Sequence, residues 1–246
     1  MNGNGPRPSL VKRELWLTRR AHYIAVFDRA LLLLRERSEL PVSERMLVRE
    51  LHFTTVTARR ALDPNGLYER PMFETQNLPD PDSEELEPFE DKRPDIQWIH
   101  DDEGAADDRH REKSFAIECK RLGGKTQSGW DLNLQYVTGG VRRFRSPLSR
   151  YGNHMSGGMM IGFVQDMELP DVLGAVNTHL ANESVAHLRL EGDFAANGVS
   201  KLGHSFERTF PQSPFHLIHR WLDIRAVPRK AAPSPKPKRA RSRRRQ

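Results

Sequence analysis

Apolar positions recur along the chain in two rhythms. Over residues 11–37 the spacing of Leu15, Leu17, Ile24, Phe27, Leu31 and Leu34 predicts a helix with one apolar side. Residues 38–41 break it. Ser43 is a candidate N-cap for a second helix, with Met46, Leu47 and Leu51 on its apolar side, and residues 54–62 read as a short third helix. Residues 63–92 are rich in Pro, Asp and Glu and read as loop, with an acidic linker over 76–92. The rhythm then changes to period two. Residues 95–100 carry Ile96 and Trp98, and residues 114–121 alternate Phe115 and Ile117 with Glu118 and Lys120, so both segments predict strands. A strand ahead of Asp95 is faint, with residues 67–73 as the candidate. Helical spacing returns over residues 130–144 through Leu134, Val137, Val141 and Phe144. Residues 158–164 form an apolar run long enough for a central strand, and residues 169–180 predict a helix that buries Val172, Val176 and Leu180. Residues 187–191 and 205–210 alternate as strands, and residues 216–224 fit either a strand or an edge helix.

These elements make an α/β chain. Its 246 residues suffice for one substantial domain. The expected division is a flexible leader over 1–10, N-terminal helices over 11–62, a core over 63–228, and a disordered tail over 229–246. The net charge of +6 resides in that tail: it holds nine Lys or Arg and no acid, and without it the chain carries about −3. A basic tail suits either diffuse contact with nucleic-acid phosphates or a solubilising terminus, and composition does not separate the two. No run has the length and apolarity of a membrane span, and the first residues lack the basic-then-apolar pattern of a secretory signal. The single Cys119 excludes an internal disulfide and a cysteine zinc cluster and fits a cytoplasmic, reducing setting.

The chemistry-bearing residues lie on the two period-two segments. Residues two apart on a strand share a face, so Glu118 and Lys120 project side by side. If the two strands pair, Asp95 approaches Glu118 from the neighbouring strand. Hard carboxylate oxygens beside a lysine suit magnesium or manganese with a bound water. Ordinary readings compete: Asp95 as a turn cap, Glu118 and Lys120 as a solvent-facing pair. The flanking helix and apolar strand argue against the second, because they place the charged strand deep in an α/β layer, where charges need partners or a metal. The histidines show no HxH or HExxH spacing, and the Gly-Gly pairs at 139–140 and 157–158 lack the lysine and hydroxyl of a phosphate loop.

Pro94-Asp95 followed by Glu118-Cys119-Lys120 resembles the PD-(D/E)xK nuclease superfamily. The resemblance covers residues 93–164 and implies a restriction-endonuclease-like mixed sheet flanked by helices, in αβββαβ order. It further implies a Mg2+- or Mn2+-dependent phosphodiester hydrolase acting on DNA, with RNA as an alternative substrate, in a prokaryotic restriction or phage-defence setting. Asp95, Glu118 and the backbone carbonyl of Cys119 would hold the metal, and Lys120 would orient the attacking water. An upstream helical carboxylate, Glu50 or Glu44, matches a further ligand in some members, and Gln135 matches a glutamine on the helix after the lysine strand. Arg142, Arg143, Arg145 and Arg150 follow the motif and suit phosphate contacts. A homodimer or a partner in a defence complex is compatible with this reading. So is a module of the same fold that binds nucleic acid without cutting it, or a structural subunit of a larger defence complex.

Overall fold

The structure is a computed structural model that describes residues 10–102, 104–105, 107–210 and 213–230. Its spine is β4 (Glu112–Leu122), the longest strand. β4 pairs antiparallel with β3 (Ile96–Asp101), matching Ile96 to Ile117, and parallel with β5 (Gly157–Val164), matching Glu118 to Met160. β5 continues parallel into β8 (Phe215–Asp223), which pairs antiparallel with β7 (Val199–Phe206). Two-residue strands, β2 (Met72–Phe73) and β6 (Arg189–Leu190), close the edges, so the seven strands run β2-β3-β4-β5-β8-β7-β6. Residues 216–224 are therefore strand through Asp223, set between β5 and β7. The strand sought ahead of Asp95 is real but only two residues long.

Strand alternation sorts side chains into two cores. Phe115, Ile117 and Cys119 of β4 join Met159, Ile161 and Phe163 of β5 under α1 (Leu10–Arg35) and α2 (Glu44–Leu62). On α1 the buried side is Tyr23, Val26, Phe27, Ala30, Leu31 and Leu34, whereas Leu17 is exposed. Trp98 stacks on Tyr23 with ring centroids 4.2 Å apart, and its indole N–H donates to the Glu69 carbonyl at 2.7 Å. Ala116 and Leu122 of β4, with Met160 and Val164, face the opposite layer. That layer is α5 (Leu169–Asn182) and a helical run made of α3 (Leu132–Tyr136), a π-type turn (Val137–Val141) and α4 (Arg142–Arg145). Glu118 and Lys120 have the parity of Ala116 and Leu122, so their strand positions face this second layer.

Three expectations change. The second and third helices are one. Thr54 and Thr55 satisfy their hydroxyls on the Leu51 carbonyl inside α2, at 3.1 and 2.8 Å, so the threonines do not break it. Residues 76–92 pack onto the core as coil: Phe89 is buried, and the Asn77 amide donates to the Phe89 and Ser149 carbonyls at 3.0 and 2.7 Å. Arg229 and Lys230 form β9, which pairs in parallel with β1 (Leu40–Pro41). The leader at residues 1–9 and the tail at 231–246 lie outside the described residues.

At Gly158 on β5 the Phe144 ring of the helical run packs directly against the strand. A Cβ there would sit 2.8 Å from Phe144 Cε1, 3.0 Å from the Ala116 carbonyl oxygen and 3.2 Å from Phe215 Cζ. Backbone and two packed rings leave no flexible neighbour to yield. Gly158→Ala is expected to lose about 1–3 kcal/mol of stability by overpacking, read from the urea midpoint; an unchanged midpoint would refute this account of the packing.

Candidate active site

Asp95 precedes β3, and the β3–β4 register sets it opposite Glu118. Its Oδ2 accepts the Cys119 N–H at 2.7 Å, which fixes the carboxylate at the end of the ladder. Glu118 is fully buried. Its Oε1 receives Lys120 Nζ at 2.8 Å and Arg143 Nη1 at 3.1 Å, while Oε2 is buried without a hydrogen-bond partner. Lys120 Nζ also donates to Glu44 Oε1 and to the Cys119 carbonyl, each at 2.9 Å. Glu44 Oε2 accepts the Arg121 N–H at 3.1 Å, so the first turn of α2 is pinned to the end of β4. Ser43 sets that turn: its hydroxyl accepts the Met46 N–H at 3.4 Å as the N-cap.

Burial and charge act together on these groups. Burial, reinforced by Asp95, lifts the Glu118 carboxyl to about 7 even against Lys120 and Arg143. Asp95 is also raised, chiefly by burial, against the pull of Lys120 and the Cys119 N–H. Burial disfavours the Lys120 ammonium, yet Glu118, Glu44 and Asp95 together hold its pKa above the ordinary lysine value. Lys120 is thus a cation and a donor at neutral pH, not a base. The buried Cys119 thiol is raised well above its usual range, so thiolate chemistry has no footing here.

The candidate residues separate clearly. Glu44 reaches the cluster; Glu50 does not, pairing with Arg37 and Arg49 at 3.6 and 3.1 Å. Gln135 lies half-buried on α3. Its Oε1 and Lys120 Cε approach the position of a Gly139 Cβ to 3.3 and 3.7 Å, so Gln135 borders the lysine across that glycine. Arg143 pairs with Glu118 and donates to the Tyr151 hydroxyl at 2.8 Å, which itself donates to the Arg93 carbonyl at 2.7 Å. Arg142 is exposed beside it. Arg145 donates to the Glu183 carbonyl at 3.0 Å. Arg150 pairs with Asp80 at 3.1 Å and lies over the Phe89 ring. Tyr151 is the member of this group that sequence pattern gives no reason to single out. Its position depends on a loop that returns to the site only in the fold.

Asp95, Glu118, Glu44 and the Cys119 carbonyl form a hard-oxygen set of the kind magnesium prefers, and the unpartnered Glu118 Oε2 has a lone pair to give. Among the described residues, however, no three His, Cys, Asp or Glu side chains are gathered in a geometry that would hold a metal ion. In this arrangement the Lys120 ammonium holds Glu118, Glu44 and the Cys119 carbonyl. The donor chemistry fits a divalent cation, and the lysine occupies the point where those oxygens converge. Among the described residues, no helix is long and apolar enough to cross a membrane. Comparison with protein-family models gives no match, and neither does comparison with curated proteins or with solved structures.

Proposed function

We propose that the chain is a metal-dependent nuclease acting on DNA, with the restriction-endonuclease-like architecture. The observation that carries this reading is the buried Glu118, with one oxygen unpartnered, set between Asp95 just before the adjoining strand and Lys120 on its own face. The local order β2-β3-β4-helix-β5, with β5 parallel to β4, supports the αβββαβ core. Glu44 on the preceding helix supports a further acidic ligand.

When bound, magnesium or manganese supplies positive charge to the transferring phosphoryl group and acidity to a bound water. Asp95, Glu118, Glu44 and the Cys119 carbonyl would hold it. Lys120 keeps its proton, so it acts by donating hydrogen bonds: it orients the attacking water and neutralises charge on the phosphate oxygens. Arg143, on the solvent side of Glu118, offers a guanidinium to a phosphate oxygen. Gln135 lies across Gly139 from the lysine. Because Glu118 titrates near 7 and must be ionised to serve as a ligand, cation affinity is expected to rise with pH through that value.

A second reading, a nucleic-acid-binding module that does not cut, is favoured by one observation: Lys120 already holds the carboxylates. One experiment separates the two. Purified chain is incubated with linear, circular and single-stranded DNA and with RNA, in Mg2+ or Mn2+ and in EDTA. The nuclease reading expects metal-dependent DNA cleavage that Asp95→Ala, Glu118→Ala and Lys120→Ala each lower by at least about 100-fold. Binding without cleavage under every metal condition supports the second reading and ends the first.

A further inference from the structure

A cleft beside the carboxylate–lysine cluster carries chemistry that the proposed reaction leaves unused. It lies between α2 and the edge strand β2 and has a volume of about 260 Å³, with Arg45, Met46, Arg49, His52, Phe73 and Glu74 among its lining residues. Each wall adjoins a carboxylate of the cluster. On α2, Arg45 follows Glu44. On the sheet edge, Phe73 is paired with Ile96, next to Asp95, and the Glu74 N–H donates to the Asp95 carbonyl at 3.1 Å. Whatever sits in the cleft is a near neighbour of whatever reacts at Glu118.

The lining is specific in type. The His52 and Phe73 rings meet nearly edge to face, with centroids 4.1 Å apart and planes at 71°, and together form an angled aromatic wall. Arg45 and Arg49 are exposed at the rim; Arg49 lies over Phe53 at 4.8 Å and contacts Glu50 at 3.1 Å. The surface continues along α2. Arg45, Arg49, His52, Val56 and Arg60 follow at spacings of four, three, four and four residues, which is one helical stripe, and it bears no acidic residue. Phe53 and Val56, 43% and 46% exposed, interleave apolar surface with the arginines. Exposed cations beside the exposed Phe53 ring and the half-buried His52 and Phe73 rings are the composition of a track for single-stranded nucleic acid, where phosphates meet the charges and bases stack. The volume is below the ~300 Å³ at which sites for drug-sized ligands begin, so the cleft accommodates one ring system and not a base pair. Glu74, in the left-handed region at φ +50°, adds an acceptor suited to an exocyclic amine on a base edge.

The geometry points to this cleft as the seat of one unpaired nucleotide of the substrate strand. Its base would lie against His52 and Phe73, and its phosphate on Arg45 and Arg49. The inference deepens the nuclease reading and rests on it for the identity of the strand. An unpaired base gains the stacking surface directly, whereas a paired one must first leave its stack. The site therefore discriminates by strand state.

Fluorescence anisotropy in EDTA tests this separately from cleavage. Full-length protein is titrated against labelled DNA that is fully paired, paired with a one-nucleotide bulge, or single-stranded. Wild type is expected to bind the bulged and single-stranded forms about tenfold tighter than the paired form. His52→Ala should erase that preference. Arg45→Ala and Arg49→Ala, at exposed positions, should weaken binding to every form and each lower the salt slope by about one. Equal affinity of wild type for bulged and paired DNA overturns the inference, as does a His52→Ala protein that keeps the preference. Cleavage without the preference sinks the cleft alone; the preference without metal-dependent cleavage sinks the nuclease reading alone.

Discussion

Glu118→Gln is expected to abolish metal-dependent cleavage and, in the same molecule, to stabilise the metal-free protein above neutral pH. The two effects share one cause. Burial, with Asp95 beside it, lifts the Glu118 carboxyl to about 7 in the folded protein, against about 4.3 in an unfolded chain. Between those values the folded state holds the proton and the unfolded state does not. Stability from this group is therefore complete below about pH 4.3, falls as pH rises through the window, and is lost above about 7. The full span corresponds to on the order of 3 kcal/mol. Asp95, also raised by burial, acts in the same direction. Glutamine keeps the shape and an oxygen for Lys120 without ionising, so the variant should gain on wild type as pH climbs from 5 to 8. Urea unfolding in EDTA at both pH values measures this. Equal pH dependence in wild type and variant would show that Glu118 is not held as described. A residue whose removal strengthens the fold and destroys activity marks a site kept at the expense of stability.

Arg208→Met should be the most damaging change away from the carboxylates, by about 3 kcal/mol or more. The Arg208 guanidinium is buried and donates to four carbonyls, those of Phe144, Tyr151, Gly152 and Met155, at 2.7 to 3.2 Å. It also lies over the Phe210 and Phe215 rings at 4.3 and 3.9 Å. Methionine fills much of the space but removes the guanidinium donor that all four buried carbonyls share, leaving only that of Gly152 with the Met155 N–H. Lysine fails differently, since a point-like ammonium cannot serve four acceptors arranged around a planar fork. The loop held this way carries Tyr151, which steadies Arg143 against Glu118. Loss of cleavage should therefore accompany loss of stability in Arg208→Met, and both should be milder in Arg208→Lys. Chemical unfolding together with initial cleavage rates reads both effects. A variant as stable as wild type would show that the carbonyls find other donors.

Much of this arrangement is legible in the sequence, because its signals are local. Alternation around Phe115 and Ile117 gives a strand, and strand parity alone puts Glu118 beside Lys120 and Cys119 on the other side. Apolarity over residues 158–164 gives a central strand. The choice between Glu44 and Glu50 is of another kind. Both lie on α2, and only the docking of that helix onto the end of β4 decides which one meets Lys120. A capping serine just before Glu44 was the available hint, since a helix's first turn lies at the end of its layer. Arg143 reads in sequence as a charge near a helix C-terminus; its contact with Glu118 depends on the π-type turn. There Gly140 lets the backbone approach Met160 and Lys120, with a would-be Cβ 2.5 Å from Met160 Cε and 3.3 Å from Lys120 Cγ. The threonines of α2 point away from helix by propensity, and tertiary burial overrides that preference.

The short β1–β9 pair ties the lead-in to α2 to residues 229 and 230. Leu40 and Pro41 lie against Arg229 and Lys230, and Glu44 follows three residues after Pro41. Position 230 thus lies beside the segment that leads into α2 and Glu44. The pairing therefore couples residues 229 and 230 to the Glu44–Lys120 contact: loosening β9 frees the lead-in to α2, and with it the carboxylate that holds the lysine.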